Sequence, residues 1–242
     1  MKKILTFFVI LLCSNSIYSQ LFVNEIDSDT DSFDELEFLE IKSESPNFSL
    51  NGYIVVFFNG SSSGADSSYL TLDLNGFQTD LNGLFLIGNI NVSPSAQLII
   101  PNSSIQNGAD AVAIYEASVD DFPDSTLATT VNLIDALVYD TSDSDDDNLM
   151  ALLGLNSQIN ENENGNKTTE SIQRANDGSY FITLPTPREV NEGNGVFLNG
   201  INFSFNQESY NEGEQIEINF TTEEAVEEPI TIFFTLDYEN FD

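Results

Sequence analysis

Residues 53–60 read Tyr-Ile-Val-Val-Phe-Phe-Asn-Gly, and this stretch decides the fold class. Tyr53–Phe58 is apolar at every position, which is typical of a strand buried on both faces. Asn59-Gly60 favours a turn after the strand, because both residues tolerate positive φ angles. Successive side chains of a strand point to opposite faces, so Phe57 and Phe58 are predicted to lie on different sides of their sheet.

Short apolar runs recur on both sides of this stretch, separated by clusters of Gly, Asn, Asp and Ser. The strands predicted before residue 140 are Leu21–Ile26, Glu35–Ile41, Tyr53–Phe58, Leu70–Leu74, Leu84–Ile87, Gln97–Ile100, Ala111–Tyr115 and Leu133–Tyr139. No segment shows sustained helical periodicity. The spacing predicts an all-β sandwich or barrel. Within Glu35–Ile41, Leu36 and Phe38 are predicted to share a face. The apolar residues Leu39 and Ile41 fall on the opposite face, and this change in the alternation is interpreted as a bulge.

One short helix is predicted at Asn148–Leu153. The acidic residues Asp145–Asp147 precede it, where they favour the positive end of the helix dipole, and Gly154 is a stop signal. Because such a short helix is not stable alone, its leucines are expected to pack onto the sandwich. The polar, Asn-rich stretch 156–169 is predicted to be a loop.

The first 19 residues have the layout of a secretory signal peptide. Lys2 and Lys3 precede the apolar run Ile4–Leu12, and cleavage is predicted between Ser19 and Gln20. The alternative, a membrane anchor, is disfavoured because a spanning helix needs about 20 apolar residues. We therefore expect a bacterial protein exported to the cell surface, the medium or the periplasm, with no transmembrane segment in the mature chain. Lipid modification of Cys13 is not expected, because the residue before it is a leucine.

The chain is strongly acidic, with 6 basic and 40 acidic residues and a net charge of −34. Loss of Lys2 and Lys3 with the leader would leave 4 basic against 40 acidic residues, a net charge of −36. Such a surface repels phosphate backbones and anionic lipids, so direct nucleic-acid binding is not expected. Its single cysteine, Cys13, leaves with the leader, so an internal disulfide is excluded from the mature chain.

A domain boundary is predicted near residue 191, after the proline-containing stretch 184–194. Beyond it, strands are predicted in Val196–Phe205, Gln215–Phe220 and Ile230–Leu236. Residues 196–242 would then form a partial second β-sandwich, because three strands cover little core. We expect that this module either continues in a longer protein or docks on the first domain.

Five motifs in residues 21–191 resemble, in order, those of bacterial lamin tail domains. They are Asn24-Glu25-Ile26 with Glu37-Phe38-Leu39-Glu40-Ile41, Leu50-Asn51-Gly52-Tyr53-Ile54-Val55, Ile134-Asp135-Ala136-Leu137-Val138-Tyr139, Thr169-Glu170-Ser171-Ile172-Gln173-Arg174, and Thr186-Pro187-Arg188-Glu189-Val190-Asn191. The last motif departs from the family pattern at Arg188 and Glu189, where small residues are usual.

The resemblance implies an immunoglobulin-like β-sandwich over residues 21–191. It also implies an accessory, adhesion or anchoring role with a protein or cell-surface partner, because bacterial members occur in exported proteins, often beside nuclease or other hydrolase domains. Residues 203–220 show a fainter resemblance to Calx-β or other immunoglobulin-like repeats. The alternative is that the chain is the N-terminal part of a multidomain exported hydrolase whose catalytic domain lies outside it.

The composition argues against catalysis. The chain has no histidine and no tryptophan, and its one cysteine lies in the predicted leader. Ser-His-Asp and Cys-His catalysis and histidine-type zinc sites are therefore excluded. Paired carboxylates remain available, but the aromatic platform that Trp gives a glycosidase cleft is missing. We predict a protein that is not an enzyme.

Two acidic clusters are candidate calcium sites, because Ca²⁺ prefers several carboxylate oxygens on tight loops. The candidate ligands are Asp27, Asp29, Asp31 and Asp34 in the first cluster and Asp143, Asp145 and Asp147 in the second. The 1-3-5 spacing of the first cluster matches an EF-hand loop, but Ser32 and Phe38 stand where glycine and glutamate belong, so an EF-hand is rejected. The alternative is that both clusters are solvated loops. No cofactor other than Ca²⁺ is predicted.

Arg174 is one of few basic residues in the chain, and we predict a buried structural ion pair with a carboxylate such as Glu25 or Glu40. Tyr53, Phe57, Phe58 and Tyr139 are predicted to be core residues, not a binding platform.

Overall fold

The computed structural model describes residues 21–191, 201–205 and 218–222. The chain divides into two units, residues 1–195 and 196–242. The strands are β1 (Leu21–Asp27), β2 (Phe38–Ser43), β3 (Tyr53–Asn59), β4 (Ser67–Asp73), β5 (Leu84–Gly88), β6 (Leu98–Ile99), β7 (Asp110–Glu116), β8 (Leu133–Asp140), β9 (Ile159–Asn160), β10 (Ser171–Arg174), β11 (Tyr180–Thr183), β12 (Ile201–Phe205) and β13 (Ile218–Thr222).

The first unit is an all-β sandwich of two mixed sheets. The first sheet has the strand order β11-β10-β1-β2-β5-β6, and the second has the order β4-β3-β7-β8-β9. Every pairing is antiparallel except β5 with β6 and β8 with β9. All eight strands predicted before residue 140 are present, although several begin or end at different residues. The predicted sandwich is therefore confirmed.

The main core lies between the two sheets. One face of the first sheet contributes Val23, Ile26, Leu39, Ile41, Phe85, Ile87 and Ile172, and one face of the second contributes Val55, Phe57, Val112, Ile114, Leu137 and Tyr139. These residues follow the two-residue period of strands, so each sheet presents one apolar face to the other.

The second sheet is also buried on its outer face, which explains its continuous apolar strands. Phe58 and its neighbours on that face pack under Phe122 and under Leu149 and Leu153 of a helix. Phe57 and Phe58 thus lie in different cores, as predicted, and Tyr139 is fully buried. Tyr53 is half-buried and packs at the edge of the main core.

The helix spans Asp147–Leu153 and confirms the predicted one. The Asp146 carboxylate accepts hydrogen bonds from the backbone N–H groups of Asn148 and Leu149, at 3.0 and 2.9 Å. Gly154 ends the helix at φ 71°, a left-handed conformation that glycine adopts without strain. A second helical segment, Asp31–Asp34, is a kinked turn.

The prediction for the second strand was wrong in detail. β2 begins at Phe38, so Leu36 lies in the preceding loop and is exposed, and Leu39 and Ile41 face the main core. The register shift lies in the neighbouring strand, between Val23 and Glu25. The sequence showed that the alternation of apolar residues changes here, but not which of the two paired strands contains the bulge.

In the second unit, β12 and β13 form an antiparallel pair, with Phe203 opposite Phe220. The predicted strand 230–236, like the predicted leader, lies outside the described residues.

Candidate functional site

Two glutamates and a glutamine form a row across the outer face of the first sheet. Glu40 on β2 lies opposite Glu25 on β1, and Glu25 lies opposite Gln173 on β10. All three side chains are fully buried. Two carboxylates placed side by side on one face repel each other, so this row requires compensating hydrogen bonds. We call it the carboxylate row.

The segment 184–191, here the closing segment, supplies part of that compensation. Glu25 Oε1 accepts from the backbone N–H of Thr186 at 2.8 Å, and Oε2 accepts from the Thr186 hydroxyl at 3.0 Å. Oε1 also accepts from Ser171 Oγ at 2.7 Å and from Gln173 Nε2 at 3.2 Å. Burial raises the pKa of Glu25, and these hydrogen bonds act in the opposite direction.

Glu40 holds the next turn of the closing segment. Its Oε2 accepts from the backbone N–H of Arg188 at 2.6 Å, and its Oε1 accepts from Asn24 Nδ2 at 2.7 Å. Burial, followed by the charge of Glu25, raises the pKa of Glu40 to about 8. The Arg188 guanidinium donates to Asp80 Oδ2 at 3.0 Å.

Asn191 fixes the end of the closing segment. Its Nδ2 donates to the backbone oxygens of Asn24 and Arg174, at 2.9 and 3.0 Å. These contacts explain the motifs at 24–26, 37–41 and 186–191 physically, because their polar residues bind one another. The carboxylate row therefore anchors the closing segment to the first sheet.

Arg174 does form an ion pair, but its predicted partners were wrong. Arg174 Nη1 lies 2.8 Å from Oδ2 of Asp135, on β8 of the other sheet, and the guanidinium lies over the Phe22 ring. Glu25 and Glu40 instead accept from neutral donors. Arg174 follows Ile172 at the two-residue period of β10, so its side chain is on the inner face, whereas the carboxylate row is on the outer face.

The four aspartates of the first acidic cluster make different contacts. Asp27 is buried at the end of β1, and Asp29 forms an ion pair with Lys167. Asp31 is exposed, and Asp34 accepts from the backbone N–H of Thr30 at 3.0 Å. These four carboxylates are not grouped so that three or more of them could hold one metal ion.

Sequence reasoning missed Glu161, which lies beside this cluster. Its Oε1 accepts from the backbone N–H of Ser28 at 3.0 Å, and its Oε2 accepts from Ser28 Oγ at 2.6 Å. Burial raises the pKa of Glu161 to about 8. Burial, and then the charge of Glu161, also raises the pKa of Asp27 well above its ordinary value. Nothing in the Asn-rich stretch around Glu161 distinguishes it from its exposed neighbour Glu163.

The second acidic cluster lies on the surface before the helix. Asp143, Asp145 and Asp147 are exposed, whereas the neighbouring Asp146 caps the helix. Across the described residues, no group of three or more His, Cys, Asp or Glu side chains is arranged to hold a metal ion. Calcium binding by either cluster stays a prediction, tested by comparing melting temperatures in Ca²⁺, Mg²⁺ and NaCl at equal ionic strength.

The arrangement is therefore suited to holding the fold together. The buried carboxylates accept hydrogen bonds from the protein's own backbone, as Glu37 also does from Ser104 and Ile105 at 2.9 and 3.2 Å. Within the described part of the chain, no helix is long and apolar enough to span a bilayer. No protein-family model, curated protein or solved structure matches the chain.

Proposed function

We propose that the protein is an exported, non-catalytic lamin tail domain protein that anchors or positions a partner at the cell surface. The observation that carries this proposal is the closing segment's attachment to the carboxylate row. Buried carboxylates at an active site must have free access to a substrate, whereas Glu25 and Glu40 are covered by the protein's own residues 186–188. The first unit thus offers a rigid sandwich, and its most polar buried residues serve its own stability.

The order of the five motifs supports the lamin tail interpretation. The glutamates of the first, the Ser171-Gln173 pair of the fourth and the Thr186–Asn191 segment of the fifth meet at one place. Three of the five motifs thus form one hydrogen-bonded unit, which is better explained by a common fold than by chance similarity in separate places.

Fusing the full chain to a reporter protein that lacks an export signal tests the proposal. In the bacterium that makes the protein, the fusion should reach the cell exterior and remain attached to washed cells. A matched fusion without residues 1–19 should stay in the cytoplasm. Retention of the full fusion in the cytoplasm, or its complete loss from washed cells, would contradict the proposal. The purified protein should also lack nuclease, esterase, peptidase and glycosidase activity.

A further inference from the structure

Four exposed apolar residues lie on chain segments that hydrogen bonds join at one corner of the first unit. Phe33 and Leu36, in the β1–β2 loop, are 76% and 49% exposed, and Ile90 and Ile99 are 68% and 46% exposed. Residues of this type normally bury their side chains, and a group of them on a surface indicates a contact with another molecule.

The buried side chain of Asn89 joins the chain segments that carry these residues. Its Oδ1 accepts from the backbone N–H of Glu37 at 2.7 Å, and its Nδ2 donates to the Pro101 oxygen at 2.8 Å. Leu36 precedes Glu37, Ile90 follows Asn89, and Ile99 lies two residues before Pro101. We call the surface formed by Phe33, Leu36, Ile90 and Ile99 the Asn89 corner.

The backbone beneath Phe33 is held in place although its ring is exposed. Ser103 Oγ donates to the Phe33 oxygen at 2.9 Å, and the Ser103 N–H donates to the Asp34 oxygen at 3.1 Å. Ser32 and Asp34 have φ angles of 70° and 46°, which non-glycine residues seldom adopt. Backbone strain of this kind clusters at ligand clamps and other functional sites, and here the strained turn is anchored while its aromatic ring is exposed.

Charge restricts what can bind at this corner. Asp31 and Glu35 flank the apolar residues and are exposed, and the whole chain has a net charge of −34. A nucleic acid, an anionic membrane or a second copy of this chain would each be repelled. A cationic polypeptide would be attracted, and its apolar side chains would cover the corner.

We infer that the Asn89 corner binds a basic segment of a partner protein, with Phe33 as its aromatic anchor. This inference rests on the proposed function, since it gives the chemical class of the partner that the module would anchor or position. Affinity would come mainly from burying Phe33 and Ile90, and the carboxylates of Asp31 and Glu35 would select for positive charge.

The test uses the full protein and two synthetic peptides of equal length and charge. One alternates Lys with Phe and Leu, and the other alternates Lys with Ser. At roughly physiological ionic strength, the apolar peptide should bind at least about tenfold more tightly to the wild-type protein. The double variant Phe33→Ser, Ile90→Ser should lose this preference.

A matched control replaces exposed apolar residues elsewhere in the first unit. Leu81 and Val131 are 78% and 67% exposed, and the variant Leu81→Ser, Val131→Ser should keep the full preference. Absence of a preference in the wild type, or equal preference in the Phe33→Ser, Ile90→Ser variant, overturns the inference. The proposed function has its own readout, because these results leave the surface retention of the reporter fusion unchanged, whereas loss of that retention in the wild type overturns the proposed function itself.

Discussion

Arg174 and Asp135 connect the two sheets of the sandwich, with Nη1 and Oδ2 2.8 Å apart. Oδ2 of Asp135 also accepts from the backbone N–H of Val23 at 2.8 Å, so one carboxylate serves β1, β8 and β10. Both side chains are about four-fifths buried, with 22% and 20% of their surface exposed. Burial raises the pKa of Asp135 despite the nearby guanidinium.

We expect Asp135→Asn to lower the free energy of unfolding by about 2 kcal/mol, because a partly buried guanidinium would lose its counter-ion. Urea denaturation measures the change. Asp124→Asn removes the same charge from an exposed residue and should have no destabilising effect. Equal stability of the two variants would show that the ion pair contributes nothing. In a double-mutant cycle, Arg174→Met should cost less in the Asp135→Asn background than in the wild type.

The closing segment provides a second prediction. Both carboxylate oxygens of Glu25 accept hydrogen bonds, from Ser171, Gln173 and Thr186, and Glu25→Gln replaces one of these oxygens with an NH2 group that cannot accept. We expect a loss of about 2 kcal/mol in unfolding free energy and faster hydrogen exchange at the Thr186 amide. The matched variant Glu44→Gln changes an exposed residue and should leave both measurements unchanged. Unaltered exchange at Thr186 in Glu25→Gln would argue against the anchoring role of Glu25.

The strands that the sequence predicted well are those whose own residues are mostly apolar and therefore have to be buried. Tyr53–Phe58 is apolar throughout, so it must be covered on both faces by other parts of the protein. The short strands β9, β10 and β11 were missed, and β9 lies within the stretch 156–169 that was predicted to be a loop. β9 has two residues, and β11 is half-buried at every position, so neither produces an apolar period that distinguishes it from a loop.

For the candidate site, the sequence predicted the motifs but not the contacts between them. Glu25 and Glu40 were recognised as members of a pattern, but the donors to Glu25 lie 146 to 161 residues away in the sequence, and Arg188 lies 148 residues from Glu40. Which carboxylate pairs with the Arg174 guanidinium depends on the sheet face on which Arg174 lies. That face follows from strand register, which one sequence does not determine.

The helix that covers the second sheet supplies a third prediction. Leu149 is fully buried against the outer face, whereas Leu152 on the same helix is half-buried. Leu149→Ala should cost about 3 kcal/mol in unfolding free energy, because it creates a cavity under the helix. Leu152→Ala is the matched control and should cost clearly less. Equal losses would indicate that the helix does not pack as described. Thermal or urea unfolding, followed by circular dichroism, distinguishes these results.

The last prediction concerns pH, and the composition makes its test unusually clear. The chain has no histidine, so between about pH 6 and pH 8 few groups with ordinary pKa values titrate. Burial raises the pKa of Glu40 and of Glu161 to about 8, and that of Glu37 to about 7. The native state therefore binds more protons than the unfolded state throughout this range.

A carboxyl group whose pKa is higher in the native state than in the unfolded state contributes its full stabilisation at pH values below the unfolded-state pKa. This contribution is lost as the pH rises through the native-state pKa. The free energy of unfolding should therefore fall by at least about 2 kcal/mol from about pH 6 to about pH 8. Urea midpoints at constant ionic strength measure this change. Glu161→Gln removes one of the titrating groups and should make the dependence shallower, whereas the exposed Glu44→Gln should leave it unchanged. A stability that stays constant or rises over this range would show that these carboxylates are already ionised in the native protein.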